Sequence, residues 1–241
     1  MTSASPPASS ITPTSAQNAA SDVASGIDFS SVTLRFSTTT DEDIRAVVAL
    51  GRKVFFDTFA HTVSAEDMQR YLDESYTYNP IKADLTNPNK RCILAESKGA
   101  DGATILLGYS FLATDTTEDC LKDTPKPIEL QRIYTHPMSH GKGVAKQLAE
   151  ASFDLGRKEG FENMWLGVFS ENHRGIGFYK KMGFVKIGTH EFKVGDQVDI
   201  DDVMLRSLKE RSLYLPARPS PVPLTLLFGF QHRIFFERDL M

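Results

Sequence analysis

The sequence predicts an α/β (α+β) domain, a mixed central sheet of about seven strands flanked by about four helices. Three observations predict it. Hydrophobic spacing switches between period two and period 3.6 along the chain, in the order β–αα–βββ–α–β–α–ββ. Asn163–Phe169 is apolar without alternation, as expected of a strand covered on both faces. Just before it, His136–Ala145 forms a glycine-containing turn that opens a helix, the crossover that parallel neighbours require.

Each element has its own warrant. Residues 1–30 read as a disordered tail, because 19 of the first 26 are Ser, Thr, Ala or Pro and none is Lys or Arg. The tail has neither the charged start and apolar run of a secretory signal nor the arginines of a mitochondrial presequence. The expected location is therefore the cytoplasm, with the nucleus left open. Val32, Leu34 and Phe36 alternate with polar residues as a half-buried strand. Thr40 before Asp41-Glu42-Asp43 starts a helix that carries Ile44, Val47, Val48, Val54 and Phe55 on one side. Ser64 with Asp67 caps a second helix through Met68 and Leu72, and Asn79-Pro80 is expected to end it. A short helical piece before Pro88 is allowed.

Arg91–Glu96 and Thr104–Ala113 form a hairpin through Gly99 and Gly102, and Pro127–Thr135 is the next strand. After the crossover, a helix presents Val144, Leu148, Ala151 and Leu155 on one face. Ser170–Met182 is a further helix with Gly183 at its C-terminal stop. Phe184–Val194 and Val198–Leu205 close the sheet through a Gly195-Asp196 turn. The domain thus spans 31–208. Residues 209–241, with Pro216, Pro219, Pro221 and Pro223, form an extension that is either loosely packed or a docking segment.

Composition excludes several classes of function. The net charge of 27 − 31 = −4 leaves no basic excess for nucleic acid or an anionic membrane. Apolar runs fall short of the roughly 18 residues a membrane span needs. Two cysteines cannot build a disulfide framework, and they suit a reducing compartment. His136 and His140 have i,i+4 spacing, but Pro137 between them argues against a helical metal pair, so no metal is expected.

The chemistry concentrates in two segments. In His140-Gly-Lys-Gly-Val-Ala145 two glycines let the backbone approach a ligand, and the unpaired N–H groups of the following helical turn favour phosphate or pyrophosphate. It is neither a Walker A loop, since no Ser or Thr follows Lys142, nor GxGxxG. One strand later stands Asn172-His-Arg-Gly-Ile-Gly-Phe-Tyr-Lys-Lys-Met-Gly-Phe184.

Together these segments resemble the GNAT superfamily of acetyl-CoA-dependent N-acetyltransferases. Leu130-Gln-Arg-Ile-Tyr134, Trp165-Leu-Gly-Val168 and Phe178-Tyr-Lys-Lys-Met-Gly-Phe184 are most similar to its PaiA-type spermidine/spermine branch, as are Asp57-Thr-Phe59 and Met68…Tyr71-Leu72. The resemblance covers roughly Val32 to Leu208 and implies the GNAT fold, with strands four and five splayed. It also implies acetyl-CoA as co-substrate, its pantetheine arm against the backbone of Ile133, Tyr134 and Thr135. The pyrophosphate would lie on the loop from His140 through Gly141, Lys142, Gly143, Val144 and Ala145. Asn172 would lie near the pantetheine, and Tyr179 would protonate the departing thiolate.

The implied base is Glu129, directly or through a water, although a non-catalytic surface acid fits equally. Gln131 replaces a second glutamate of the polyamine branch and cannot serve. If the strand is regular, Glu129, Gln131 and Ile133 share a face. His140 departs from the usual Arg or Gln, and Gly175 and Gly177 depart from helix formers.

The implied reaction is acetyl transfer to a primary amine. The partner would be a small molecule, possibly spermidine or spermine, and neither nucleic acid nor a membrane. The acidic residues Glu66, Asp67, Asp73 and Glu74 could attract a polyamine or simply be solvated. A protein or peptide amine, or acyl-CoA binding without catalysis, are the alternatives. The chain would act as a monomer or homodimer.

Overall fold

The computed structural model describes residues 27–194 and 197–209, with the side chains of 192–197 outside that description. The expected tail over 1–26, the Gly195-Asp196 turn and the extension from 210 onward lie outside the described residues.

The strands are β1 (Thr33–Phe36), β2 (Lys90–Lys98), β3 (Thr104–Ala113), β4 (Pro127–Thr135), β5 (Asn163–Phe169), β6 (Val185–Val194) and β7 (Gln197–Ser207). They form one sheet in the order β1-β2-β3-β4-β5-β7-β6. Every pairing is antiparallel except β4 with β5. The α-helices are α1 (Asp41–Phe59), α2 (Ala65–Ser75), α3 (Tyr78–Thr86), α4 (Val144–Lys158) and α5 (His173–Lys181).

Two apolar layers hold this arrangement. Ile44, Val47, Phe55, Met68 and Ile81 of α1–α3 pack with Leu94, Tyr109 and Phe111 on one face of the sheet. Leu148 and Phe153 of α4 pack with Leu107, Ile128, Leu130 and Met164 on the other, joined there by Tyr179 of α5. The caps are those the sequence implies. Thr40 and Ser64 accept backbone hydrogen bonds from Asp43 and Asp67 at 3.3 and 3.1 Å.

Three local expectations are corrected. Pro80 does not stop α2; it lies in the first turn of α3, the short helical piece allowed before Pro88, where its missing N–H has no intrahelical role. The domain begins earlier than residue 31. Ile27 is buried in the α4-side core, and Asp28 caps a 3-10 turn at Phe29–Ser31 while its carbonyl accepts a hydrogen bond from Ser97 Oγ at 2.8 Å.

The third correction concerns β4. Arg132 pairs with Phe111 and Leu130 with Leu112, so Gln131 is the extra residue of a β-bulge. Alternation is broken there. Ile128, Leu130 and Ile133 belong to the α4-side layer, whereas Arg132 lies over the Tyr76 and Phe111 rings and Tyr134 packs on the α1–α3 side. Glu129 and Ile133 therefore point to opposite faces.

Candidate active site

The parallel pairing of β4 and β5 is short. It covers Pro127↔Asn163, Ile128↔Met164 and Glu129↔Trp165, and then the strands part. Beyond that point β4 keeps its partner on the other side, with Ser110↔Ile133, Tyr109↔Tyr134 and Gly108↔Thr135. The backbone groups of Ile133, Tyr134 and Thr135 that face β5 thus have no strand partner, and a gap opens between the strands.

At the end of that gap the chain turns into α4. Ser139 fixes the turn by donating from its hydroxyl to the carbonyls of His136 and Leu107, at 2.7 and 3.1 Å. The His136 amide also donates to Leu107 O, at 2.8 Å. Gly141 and Gly143 then take φ values of 74° and 83°, the left-handed region that costs other residues energy. Added side chains there would meet nothing within 4 Å. The need for glycine is conformational, and the space above both residues is open. Val144, Ala145 and Lys146 begin α4 with amides that have no intrahelical acceptor, so a concentrated group of donors faces that space. Such a group of unpaired donors at a helix N-terminus favours an anion.

The side chains around the loop complete it. His140 hydrogen-bonds the Thr135 backbone, while burial and the nearby Arg174 favour its neutral form. Arg174, which the sequence did not single out, thus brings a cation to the loop from the first turn of α5. Lys142 lies over the Phe29 ring, 5.6 Å from its centroid. Asn172 caps α5, accepting from the Gly175 amide at 2.8 Å. That capping role also explains one unexpected glycine, since a Cβ at 175 would come within 2.8 Å of the Asn172 amide group.

Tyr179 sits between the rings of Phe178 and Phe184, with centroids 5.3 and 5.8 Å away. Burial, reinforced by neighbouring Tyr134, raises its hydroxyl well above the ordinary tyrosine value, so it stays protonated at neutral pH. A protonated phenol carries the proton that a general acid must give up.

Across the sheet the polar groups differ in kind. Glu129 is half-buried with its carboxyl raised by burial, opposed by Thr116, Lys90, Arg132 and His190. Gln131 Oε1 and Trp165 Nε1 are buried without hydrogen-bond partners, and such atoms normally find a partner. His190 of β6 and Asp201 of β7, directly paired in the sheet, stand on this side next to Gly167. Sequence reading missed both, because only the β6–β7 register brings them beside β5. On α2, Asp73 pairs with Arg52 at 3.2 Å and Asp67 with Arg70, so these two carboxylates are already partly neutralised.

Among the described residues no helix is long and apolar enough to cross a membrane, and no group of three or more His, Cys, Asp or Glu could hold a metal.

Comparison with known proteins supplies an independent line. The model of the acetyltransferase (GNAT) family matches residues 56–184. An uncharacterized N-acetyltransferase of Lactobacillus delbrueckii subsp. lactis is 27% identical over 168 residues, 70% of this chain and 94% of its own. One from Mycobacterium tuberculosis is 28% identical over 169 residues, 70% of this chain and 99% of its own. Among solved structures, the PaiA N-acetyltransferase of Thermoplasma acidophilum in complex with coenzyme A superposes with a TM-score of 0.55 at 23% identity. That match covers 73% of this chain and 99% of the other. A spermidine/spermine N-acetyltransferase of Vibrio cholerae gives 0.50 at 19% identity, covering 75% and 94%.

Proposed function

Since the chain belongs to the acetyltransferase (GNAT) family and is an N-acetyltransferase, we propose that it moves the acetyl group of acetyl-CoA directly onto a primary amine, and that the amine is a polyamine such as spermidine or spermine. The observation that carries the donor half is the open backbone gap of β4 ending at a helix N-terminus, with free space above Gly141 and Gly143. The amides of Gly141 to Ala145 would hold the pyrophosphate, with Arg174 and His140 beside it. The backbone of Ile133, Tyr134 and Thr135, which has no strand partner on the β5 side, would hold the pantetheine arm. Bound there, the thioester supplies an activated acyl carbon.

The protein's own residues then have two proton tasks. Tyr179 donates to the sulfur as the C–S bond breaks. Glu129 accepts a proton from the amine, directly or through a water, and burial makes it a stronger base than an ordinary carboxylate. Support for a cationic acceptor comes from the carboxylates of Glu118, Glu129 and Asp201 on the opposite side of the gap, and from the fold-level likeness to polyamine acetyltransferases.

The test is thiol release from acetyl-CoA against spermidine, spermine, free amino acids and peptides with free N-termini. Polyamine turnover well above that of the other amines is expected. Preferential turnover of peptides would transfer the acceptor to protein N-termini. Acetyl-CoA binding without turnover of any amine would make the domain an acyl-CoA-binding module.

A further inference from the structure

An ammonium that becomes an amide must shed two protons, one before its nitrogen can attack and one as the amide forms. Glu129 accounts for one. We propose that His190 accepts the other, as a second catalytic base held by Glu118 and Asp201; the assignment rests on the acetyltransfer reading above.

Position is the first argument. Gly167 lies two residues past Trp165, the last residue at which β5 pairs with β4. A Cβ at 167 would sit 3.0 Å from His190 Cε1 and 3.4 Å from Asp201 Oδ2. A side chain at 167 would push the imidazole aside by a few tenths of an ångström, and Gly167 lies where the strands have just parted. The same side of the gap carries Glu129, which senses the charge of His190, and Tyr134, which senses that of Asp201. The His190–Asp201 pair is therefore within electrostatic reach of Glu129 and Tyr134 of β4.

Its contacts are the second argument. Nδ1 is 2.9 Å from Glu118 Oε1, yet off the line a hydrogen bond needs. Nε2 is 3.6 Å from Asp201 Oδ2, beyond hydrogen-bond length. A carboxylate thus stands against each ring nitrogen, at 2.9 and 3.6 Å. The ionisable groups around the ring are Glu118 from the loop before β4, Glu129 on β4, and Asp199 and Asp201 on β7, with Tyr71 of α2 beside Asp201. Apart from the Arg132 and Lys90 cations next to Glu129, the surroundings are acidic, which suits an incoming ammonium.

The proton balance closes. One N–H proton passes to a neutral nitrogen of His190, and the freed lone pair forms the C–N bond. The second N–H proton goes to Glu129. The sulfur takes a proton from Tyr179 as the C–S bond breaks. Exchange with water returns one proton to Tyr179 and releases one net.

The test uses the full chain, with spermidine as the first acceptor and the fastest amine of the panel as the second. His190→Gln should lower kcat at least tenfold at pH 7.5 and remove one of the two ionisations on the acid limb of the pH–rate profile. The melting shift given by acetyl-CoA should stay as in the parent chain, which shows that the fold and the donor site survive. Added imidazole should partly restore the rate of His190→Ala, an effect that a packing role would not give. Retention of parental kcat and of both ionisations in His190→Gln would overturn the role of His190 alone. A parent chain that neither binds acetyl-CoA nor acetylates any amine would overturn the acetyltransfer reading itself, and with it this inference.

Discussion

The two sides of the β4–β5 gap are made of different material. The donor-side cradle is backbone, five consecutive residues from Gly141 to Ala145, shaped by positive φ at Gly141 and Gly143 and by the first turn of α4. The acceptor-side face is side chain: Glu118, Glu129, His190 and Asp201, drawn from a loop and three strands between positions 118 and 201. A backbone cradle tolerates changes of residue type so long as φ is kept. A side-chain face tolerates none without changing its chemistry. Substitutions on the donor side should therefore act through binding, and those on the acceptor side through rate and pH.

The largest effect should come from Gly143→Asp. It forces a carboxylate-bearing residue into φ 83° and places negative charge where an anion is to bind. Acetyl-CoA at about 100 times its dissociation constant should stabilise the parent chain by roughly 2.7 kcal/mol. In thermal melts the variant should show no ligand-dependent shift. A shift of parental size would remove the loop from the donor site.

Next in size is Tyr179→Phe, which keeps the ring between Phe178 and Phe184 and deletes the donor. General acid catalysis contributes typically 10²–10⁴-fold, and a thiolate leaves readily, so kcat should fall by about 100-fold. Acetyl-CoA affinity, measured by calorimetry, should stay nearly constant. Equal losses of rate and affinity would make Tyr179 a binding residue and blur the division between the two sides.

That division also explains what could be read from the sequence. The cradle was legible because its whole geometry lies within one short segment and glycine spacing announces it. β3, β4 and β5 were legible to the residue because turn residues stand close to their ends. The acceptor face was not. Whether Glu129 shares a side with Ile133 depends on a bulge at Gln131, and no local residue preference marks that bulge. His190 and Asp201 meet through the β6–β7 register and stand against β5 at Gly167. Pro80 misled for a related reason: the same residue that stops one helix is suited to the first turn of another.

Asp201→Asn gives a smaller effect that should separate function from stability. Burial pushes the Asp201 carboxyl up to about 6, against roughly 3.9 for an unfolded chain. A carboxyl whose folded pKa is raised favours folding while protonated, and that advantage is lost as pH rises from about 4 through 6. At pH 7.5 the ionised group costs on the order of 2 kcal/mol, which the neutral amide avoids. The variant should melt higher than the parent chain at pH 7.5, with the difference vanishing near pH 4, while kcat falls. A lower melting point at pH 7.5 would show that the His190–Asp201 contact stabilises the fold instead of being held at a cost.

The smallest effect lies in α5, the helix that serves both sides by carrying Arg174 to the cradle and Tyr179 to the gap. Its two glycines are not equivalent. A methyl at 177 meets nothing within 4 Å, so Gly177→Ala should gain the ordinary helix preference of about 0.5–1 kcal/mol and raise the melting temperature by roughly 1–4 °C. A methyl at 175 comes within 2.8 Å of Asn172, whose carbonyl caps the helix through the Gly175 amide. Loss of an Asn cap costs about 1 kcal/mol, enough to cancel the same gain, so Gly175→Ala should leave the melting temperature unchanged or lower it. Thermal melts of the two variants side by side test this. Equal gains would mean that the cap yields without cost, and that α5 gains from alanine at either position.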